Sequence, residues 1–597
     1  MRSMFLGLEI GRRAVMAHQT ALDVTGHNVA NANTPGYTRQ EAVMVTTPSY
    51  HAPAMRQDLS AGQIGTGVTI NEIRRLRDDF VDFQIRDENR TQGYWQSLEM
   101  ALDKIEVILN EPTDQGLRGV LDNFWKSWQA LSESPENESV RAVVLQRGMA
   151  VADTFHHIYR QLQELKEDLN AQVKAKVDEI NSLAAQLADL NQQIQAITIA
   201  GKEPNDLKDR RDLLLDQLSK IVDATITQER NGMVTVLIGG TPLVQGIDNA
   251  SLEVKPDTGG IFNVVWQGSN HQLSLRSGEL MGLLDARGPS AGSSLGEARA
   301  IVPRLMDELN LMAKTVVMTT NAVHRGGYSL NNINGAYPDG LNFFDQPGSN
   351  DNDPSIEWAR YIKVSDAIAG DVKNIAAAGH RTLDAAGQRI NFGDGANALK
   401  LAQLKHTLNR DEYYAQVSDL NTVLGGAEPF PLNVAIDFTV EYPTGTTTTI
   451  NIPAPGAGNE YQDLDEYIGA IQQSLTNAGL PVSVRAEGTT LVFYSGDPDF
   501  AGVNFAATGA VGTQPRTMIK QATVDDYWRA QVSSIGVVAQ EATRMVDNQE
   551  ILLSQLESKR QSTAGVSLDE EMANMIRFQH AYNAAARYIT TIDEAIE

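Results

Sequence analysis

The chain has 597 residues, a net charge of −26 at neutral pH and a pI near 4.8, an acidity that argues against nucleic acid or anionic membrane surfaces as partners. It contains no cysteine, which removes disulfides, thiolate metal sites and cysteine nucleophiles together, and no run of about 18 apolar residues is present to span a membrane. With 42% hydrophobic residues most of it can fold, and the length calls for about three to five domains.

At the front, Leu8, Val15, Leu22 and Val29 recur every seven residues, with Ala14, Ala17 and Ala21 beside them. Such a stripe fits a helix that lays one narrow face on another helix. Glu9 and Arg12-Arg13 interrupt the early apolar run before a signal-peptide core can form, so a cleaved secretory signal is not expected. The helix stops at Asn33-Thr34-Pro35-Gly36-Tyr37. Pro35 fixes φ at the second turn position and Gly36 tolerates positive φ at the third, which is type II turn chemistry.

A strand within 62–70 and helices over 78–109 and 116–131 follow. Residues 151–200 contain neither Gly nor Pro, and Leu162, Leu165, Leu169, Val173, Val177 and Ile180 begin an apolar row that predicts one helix of about fifty residues. Gly201 and Pro204 end it, and a helix over 206–221 returns. Residues 223–277 carry short β-branched runs broken by Gly and Asn, including 273–275, and read as an antiparallel β domain. Helical periodicity resumes over 278–321, 364–378 and 396–423, with a Gly-, Asn- and Asp-rich irregular lobe between 325 and 358. Residues 424–515 read as a small ββαββ insert, and two long helices close the chain.

In the last helix Leu568, Met572, Met575, Tyr582, Ala586, Ile589 and Ile596 form a second seam at three- and four-residue steps. Asp569-Glu570-Glu571 opens that helix. Negative charge at a helix N-terminus, with Ser567 as N-cap and Glu570 as its capping-box partner, explains the cluster without catalysis. Chemistry is sparse elsewhere. Adjacent His156-His157 point about 100° apart on a helix and do not share a metal. Asn350-Asp351-Asn352-Asp353 lacks the glycine and terminal glutamate of an EF-hand loop, so a solvated loop is the simpler reading. No catalytic, cofactor or metal site is expected.

Asn28-Val29-Ala30-Asn31-Ala32-Asn33-Thr34-Pro35-Gly36-Tyr37 resembles the N-terminal signature of bacterial flagellar rod, hook and hook-associated proteins. The run Gly565-Val566-Ser567-Leu568-Asp569-Glu570-Glu571-Met572 to Gln579-His580-Ala581-Tyr582-Asn583-Ala584 is similar to the hook-associated branch, and residues 204–214 look like that family's middle region. The resemblance implies an α+β multidomain fold in which the N- and C-terminal helices pair in an axial coiled-coil core and β-rich outer domains are inserted between them. The expected divisions are 1–36 with 562–597 as terminal helical domain; 37–222, 278–324, 359–423 and 516–561 as long-helix bundle; 223–277 as β domain; 325–358 as irregular lobe; and 424–515 as insert.

It further implies a structural, non-enzymatic subunit at the junction between hook and filament, exported by the type III route to the outside of the cell. Its partners would be further copies in a ring, the hook protein, the next hook-associated protein, and an export chaperone on the last helix at Phe578 and Tyr582. The two seams named above would form the assembly interface. A hook subunit, or a secreted coiled-coil adhesin, is the alternative.

Overall fold

The protein is described by a computed structural model at residues 5–49, 65–113, 116–229, 231–289, 300–333, 338–348, 353, 355–382, 389–417, 435–442, 447–455, 460–461, 464–506 and 508–596. In chain order, helix α1 (Phe5–Asn31) leads to the hairpin β1 (Gln40–Thr46) and β2 (Val68–Arg75). Four helices follow: α2 (Asp79–Leu109), α3 (Leu117–Glu133), α4 (Glu138–Ile199) and α5 (Asn205–Ile221). Six strands come next, β3 (Ala224–Gln228), β4 (Val234–Ile238), β5 (Thr241–Gln245), β6 (Asp248–Asn249), β7 (Leu252–Pro256) and β8 (Phe262–Trp266). The chain then forms α6 (Glu279–Arg287), α7 (Ile301–Arg325), the short α8 (Trp358–Tyr361) and α9 (Asp366–Gly370), and α10 (Ala396–Gln403). The insert comprises β9 (Glu412–Val417), β10 (Ile436–Glu441), β11 (Thr447–Ile452), α11 (Leu464–Asn477), β12 (Ser483–Glu487), β13 (Thr490–Ser495), β14 (Gly502–Phe505), β15 (Gly509–Gly512) and β16 (Gln514–Arg516). Two long helices end the chain, α12 (Val524–Ala564) and α13 (Leu568–Ile596). The fold is therefore α+β, with long terminal helices that pack together.

Two compact units result, one of Met1–Ala101, Asp168–Ala300 and Ala539–Glu597, the other of Leu102–Glu167 and Ile301–Val538. In the first unit, α4 presents Val173, Val177, Ile180, Leu187 and Ile194 as a buried row. Three asparagines on the same helix stitch the β domain to it. Asn170 donates to Gly260 O and accepts from Phe262 N, Asn181 exchanges both bonds with the backbone of Leu252, and Asn191 does the same with Val234, all within 2.7–3.1 Å. An amide offers one donor and one acceptor side by side, so it satisfies strand backbone that would otherwise be buried unpaired. The strands form an antiparallel sheet β3-β4-β5-β6 and a separate β7-β8 ribbon.

The second unit has an aromatic core where α3 meets the segment after α7. Phe124, Trp128 and Phe343 lie with ring centroids 5.2–6.1 Å apart. Asn321 fixes that segment by accepting from both Phe343 N and Phe344 N at 2.9 Å. The insert holds two four-stranded antiparallel sheets, β12-β13-β9-β16 and β11-β10-β14-β15, around a core containing Phe438, Tyr467, Ile471, Phe493 and Phe505. Its ββαββ order is that of β10, β11, α11, β12 and β13, flanked by strands that the sequence pattern did not mark.

Several expectations are corrected. α4 starts at Glu138 and runs for 62 residues, because Gly148 does not break it; a Cβ there would stand 2.7 Å from the Phe343 ring, so the glycine serves close packing. The helix expected over 396–423 ends at Gln403, and Glu412–Val417 is a strand paired on both sides, by β13 and β16. The helix expected over 364–378 is reduced to five residues and one 3₁₀ turn, with the Asp371 carboxylate accepting from Lys373 N and Ile375–Ala378 buried beyond it. Leu273–Leu275 forms no strand, keeping one backbone bond from Leu273 N to Val264 O. Strand β1 went unrecognised. Of the Asn350–Asp353 loop, all but Asp353 lies outside the described residues.

Candidate assembly interface

Helices α1 and α13 run antiparallel. Gly7 lies against Ile592, Gly11 against Ile589 and Tyr588, the His18 ring stands 6.4 Å from that of Phe578, and Asn28 meets Glu571. On α13 the covered residues are Glu571, Asn574, Met575, Phe578, Ala581, Tyr582, Ala585, Ala586, Ile589 and Ile592, which recur every three to four residues along one face, as a two-helix seam requires. On α1 the fully buried residues are Gly11, Ala17, Ala21, Val24, Thr25 and Asn28. The contact is thus made by small side chains. A Cβ at Gly11 would fall 2.5 Å from Ile589 Cγ1 and one at Gly7 would fall 2.3 Å from Ile592 Cδ1.

The residues singled out from the sequence divide between seam and flank. Leu8, Val15, Leu22 and Val29 are half-buried beside the small-residue row, and Met575, Tyr582, Ala586 and Ile589 are half-buried on α13. Leu568 and Met572 do not face α1 and remain 51% exposed each, together with Ile576 at 53%. The side chain of Ile596 lies outside the described residues. Phe578 is half-buried, with the Arg577 guanidinium 4.9 Å from its ring centroid. Ala14, Ala17 and Ala21 are the sequence signal of the small-residue row, and the heptad of larger residues runs along its flank.

At the base of the pair three sequence words meet. The turn is type II, with Tyr37 N donating to Thr34 O at 3.1 Å and Gly36 at φ +78°, where a side chain would be strained. Asn28, 1% exposed, uses its whole amide. Its Nδ2 donates to Gln40 O (2.9 Å) and Glu571 Oε2 (3.0 Å), and its Oδ1 accepts from Gln40 N (3.0 Å) and the Tyr37 hydroxyl (2.8 Å). Arg39 clasps Glu571 and Glu570, each at 2.8 Å, and its backbone N donates to Ala564 O. Glu570 is thereby drawn away from the capping-box role expected of it. Ser567 Oγ still accepts from Glu570 N at 3.4 Å, but the return bond is replaced by the ion pair with Arg39.

The third word, on α5, closes the clamp from below. Asp209 accepts from Thr38 N (2.9 Å) and Arg75 (2.7 Å), Asp206 from Gln40 Nε2 (2.7 Å), and Asn205 donates to Ile73 O. Behind them Asp212 and Asp216 bind Arg75, Arg77 and Arg86, and Arg560 of α12 reaches Asp216 at 2.7 Å. Burial raises the Asp212 carboxyl, but Arg77, Arg75, Arg211 and Arg86 outweigh it and hold it below the usual range. Asp209 goes the other way: burial outweighs Arg75 and Thr38. Burial, with Asp206, Asp209 and Glu571 nearby, keeps the Tyr37 hydroxyl protonated.

Comparison with known proteins gives the family. A model of the flagellar hook-associated protein FlgK helical domain matches residues 102–344, one of the flagella basal body rod protein matches 8–38, and one of the flagellar basal body rod FlgEFG protein C-terminal matches 557–597. The flagellar hook-associated protein 1 of Bacillus subtilis is 31% identical over 631 aligned positions, covering 100% of this chain and 98% of that protein. The chain belongs to the flagellar hook-associated protein 1 family. Its Salmonella typhimurium relative of the same name is 25% identical over 96% of each chain. The solved flagellar hook junction protein FlgK from Burkholderia pseudomallei shares the fold at TM-score 0.50 and 17% identity, covering 81% of this chain and all of that one.

As a member of this family the chain is an axial structural protein of the flagellum, associating with other flagellar components. All three matched segments contribute to the clamp: Asn28 and Tyr37 from the first, Asp209 and Asp212 from the second, Arg560, Glu570 and Glu571 from the third. Among the described residues no group of three His, Asp or Glu is placed to hold a metal, and no helix is long and apolar enough to cross a membrane.

Proposed function

We propose that this chain forms the junction between hook and filament, as a ring of copies joined through the terminal helices. The hook protein lies on one side and the next hook-associated protein on the other. The chain carries no enzymatic activity and reaches the cell exterior through the type III apparatus. The observation that carries this reading is the uncovered apolar edge of α13, Leu568, Met572 and Ile576, on a helix that buries only one narrow face in the single chain. An apolar edge of this kind is an interaction surface awaiting its partner.

An export chaperone would use the same helix. Phe578 and Tyr582 are turned toward α1, so a chaperone holding them competes with α1 for one face and keeps the terminal pair open until assembly. Removal of residues 567–597 is the test. The truncated chain should keep its β-rich parts folded, by circular dichroism, while losing junction assembly and chaperone capture. Normal swimming on the truncated chain refutes the reading.

A further inference from the structure

Helix α2 begins with apolar residues on two opposite sides. Asp78 caps it, its carboxylate accepting from Phe80 N at 3.0 Å, which sets the rotation of the first turn. Val81 and Ile85 then point inward and are 1% and 3% exposed. Phe80 and Phe83, one turn apart, point outward and are 64% and 68% exposed. The core does not need them. Phe83 stands at the lip of a cleft of about 660 Å³ formed by β2, α2, α5 and the start of the β domain, with Leu215, Val222 and Ile226 in its wall.

The lining of that cleft is close to charge-balanced, seven basic side chains, Arg74 and Arg90 among them, against six acidic ones, Asp79 and Asp87 among them. A site for a small molecule is lined mainly by apolar groups with a few convergent polar ones, which this is not. Aromatic and arginine side chains around a recess are instead the composition of a protein–protein contact. The partner's chemistry follows from charge. Copies of a chain carrying −26 repel one another, so they can meet closely only where the acidic surplus is locally cancelled. The rim of this cleft is such a place, and the two phenylalanines supply the apolar anchors.

The geometry points to this surface, Phe80 and Phe83 with the adjoining arginine-rimmed cleft, as the contact between neighbouring copies of the chain outside the terminal helices. The assignment rests on the proposed ring of copies and names a second face that holds it. The test uses the full chain in assembled flagella. With p-benzoylphenylalanine in place of Phe83, an aromatic ring is kept, and irradiation of isolated hook–filament structures should join two copies of this chain. Adducts with another flagellar protein alone, or none from an assembled sample, overturn the assignment. The second measurement is the double variant Phe80→Ser/Phe83→Ser. Its monomer should melt within a few degrees of the parent, since both side chains are exposed, while its incorporation into flagella falls at least tenfold. Incorporation at the parental level overturns the assignment. The parental chain, tagged and located at the hook tip, tests the junction reading separately, so failure of one is distinguishable from failure of the other.

Discussion

His324 shows how one residue couples the second unit to pH. It is fully buried between Trp128 and Phe343, its Nδ1 lies 2.7 Å from Leu341 O, and its Nε2 accepts from Ala376 N at 3.0 Å. Those partners fix the neutral tautomer with the proton on Nδ1. Burial lowers its pKa to about 4, the bond to Leu341 opposes this, and the charges of Arg325 and Arg141 add to it. The unfolded chain takes up this proton near pH 6.5 and the folded chain only near 4, so the unfolded state binds more protons between them. The stability from His324 is complete above about 6.5 and is lost as pH falls toward 4. The loss by pH 4.5 is about 2–3 kcal/mol. Urea unfolding of the parent and of His324→Gln, whose amide can make both bonds, should diverge over that window, the variant having the shallower pH slope. Equal slopes would remove His324 from the account.

Among the elements, the pairing of α1 with α13 depends on glycine at a helical position where alanine is the better helix former by about 0.8–1 kcal/mol. Propensity and packing therefore oppose one another at Gly11, and a Cβ 2.5 Å from Ile589 Cγ1 decides for packing, since overfilling a close contact costs about 1–3 kcal/mol. Gly11→Ala should speed tryptic cleavage at Arg577 and Arg587, and Gly11→Ala/Ile589→Ala should cleave more slowly than the single variant. Cleavage of Gly11→Ala at the parental rate would show that the approach is not so close. Elements of this kind were also the most readable. The long helices, the type II turn and the β10–β13 order follow from local pattern, because periodicity and turn chemistry reside in neighbouring residues. Strand β9 did not, because a run such as Glu412-Tyr413-Tyr414-Ala415 becomes a strand through β13 and β16, which lie far along the chain. The clamp was visible only in pieces. Asn28, Asp209 and Glu571 belong to three separate words and Arg39 lies just beyond the first, and only the fold shows that they share one hydrogen-bonded cluster.

For the whole molecule, the distribution of burial sets the order in which parts open. Helix α4 carries an unbroken row of buried aliphatic residues, whereas Glu571 is the single buried residue of α13 among those described. Free energies of local opening track buried apolar contact, so the terminal pair should open well before the helices and strands around α4. In a dilute solution of single chains, amides of α13 beyond Ala573 should exchange at least about a hundredfold faster than those of Val173–Leu190 in α4. The base of α13 should be slower than its tip, because the Asn28–Glu571 and Arg39–Glu570 bonds pin it. Asn28→Ala strands Gln40 N and leaves Glu571 without its amide donor, and it should move residues 568–573 into the fast class while α4 is unchanged. If neighbouring copies cover Leu568, Met572 and Ile576 in assembled flagella, as proposed, the whole of α13 should become slow there. Equal protection of α13 and α4 in the single chain would mean that the ends are already complete, and assembly through the terminal helices would then lose its physical basis.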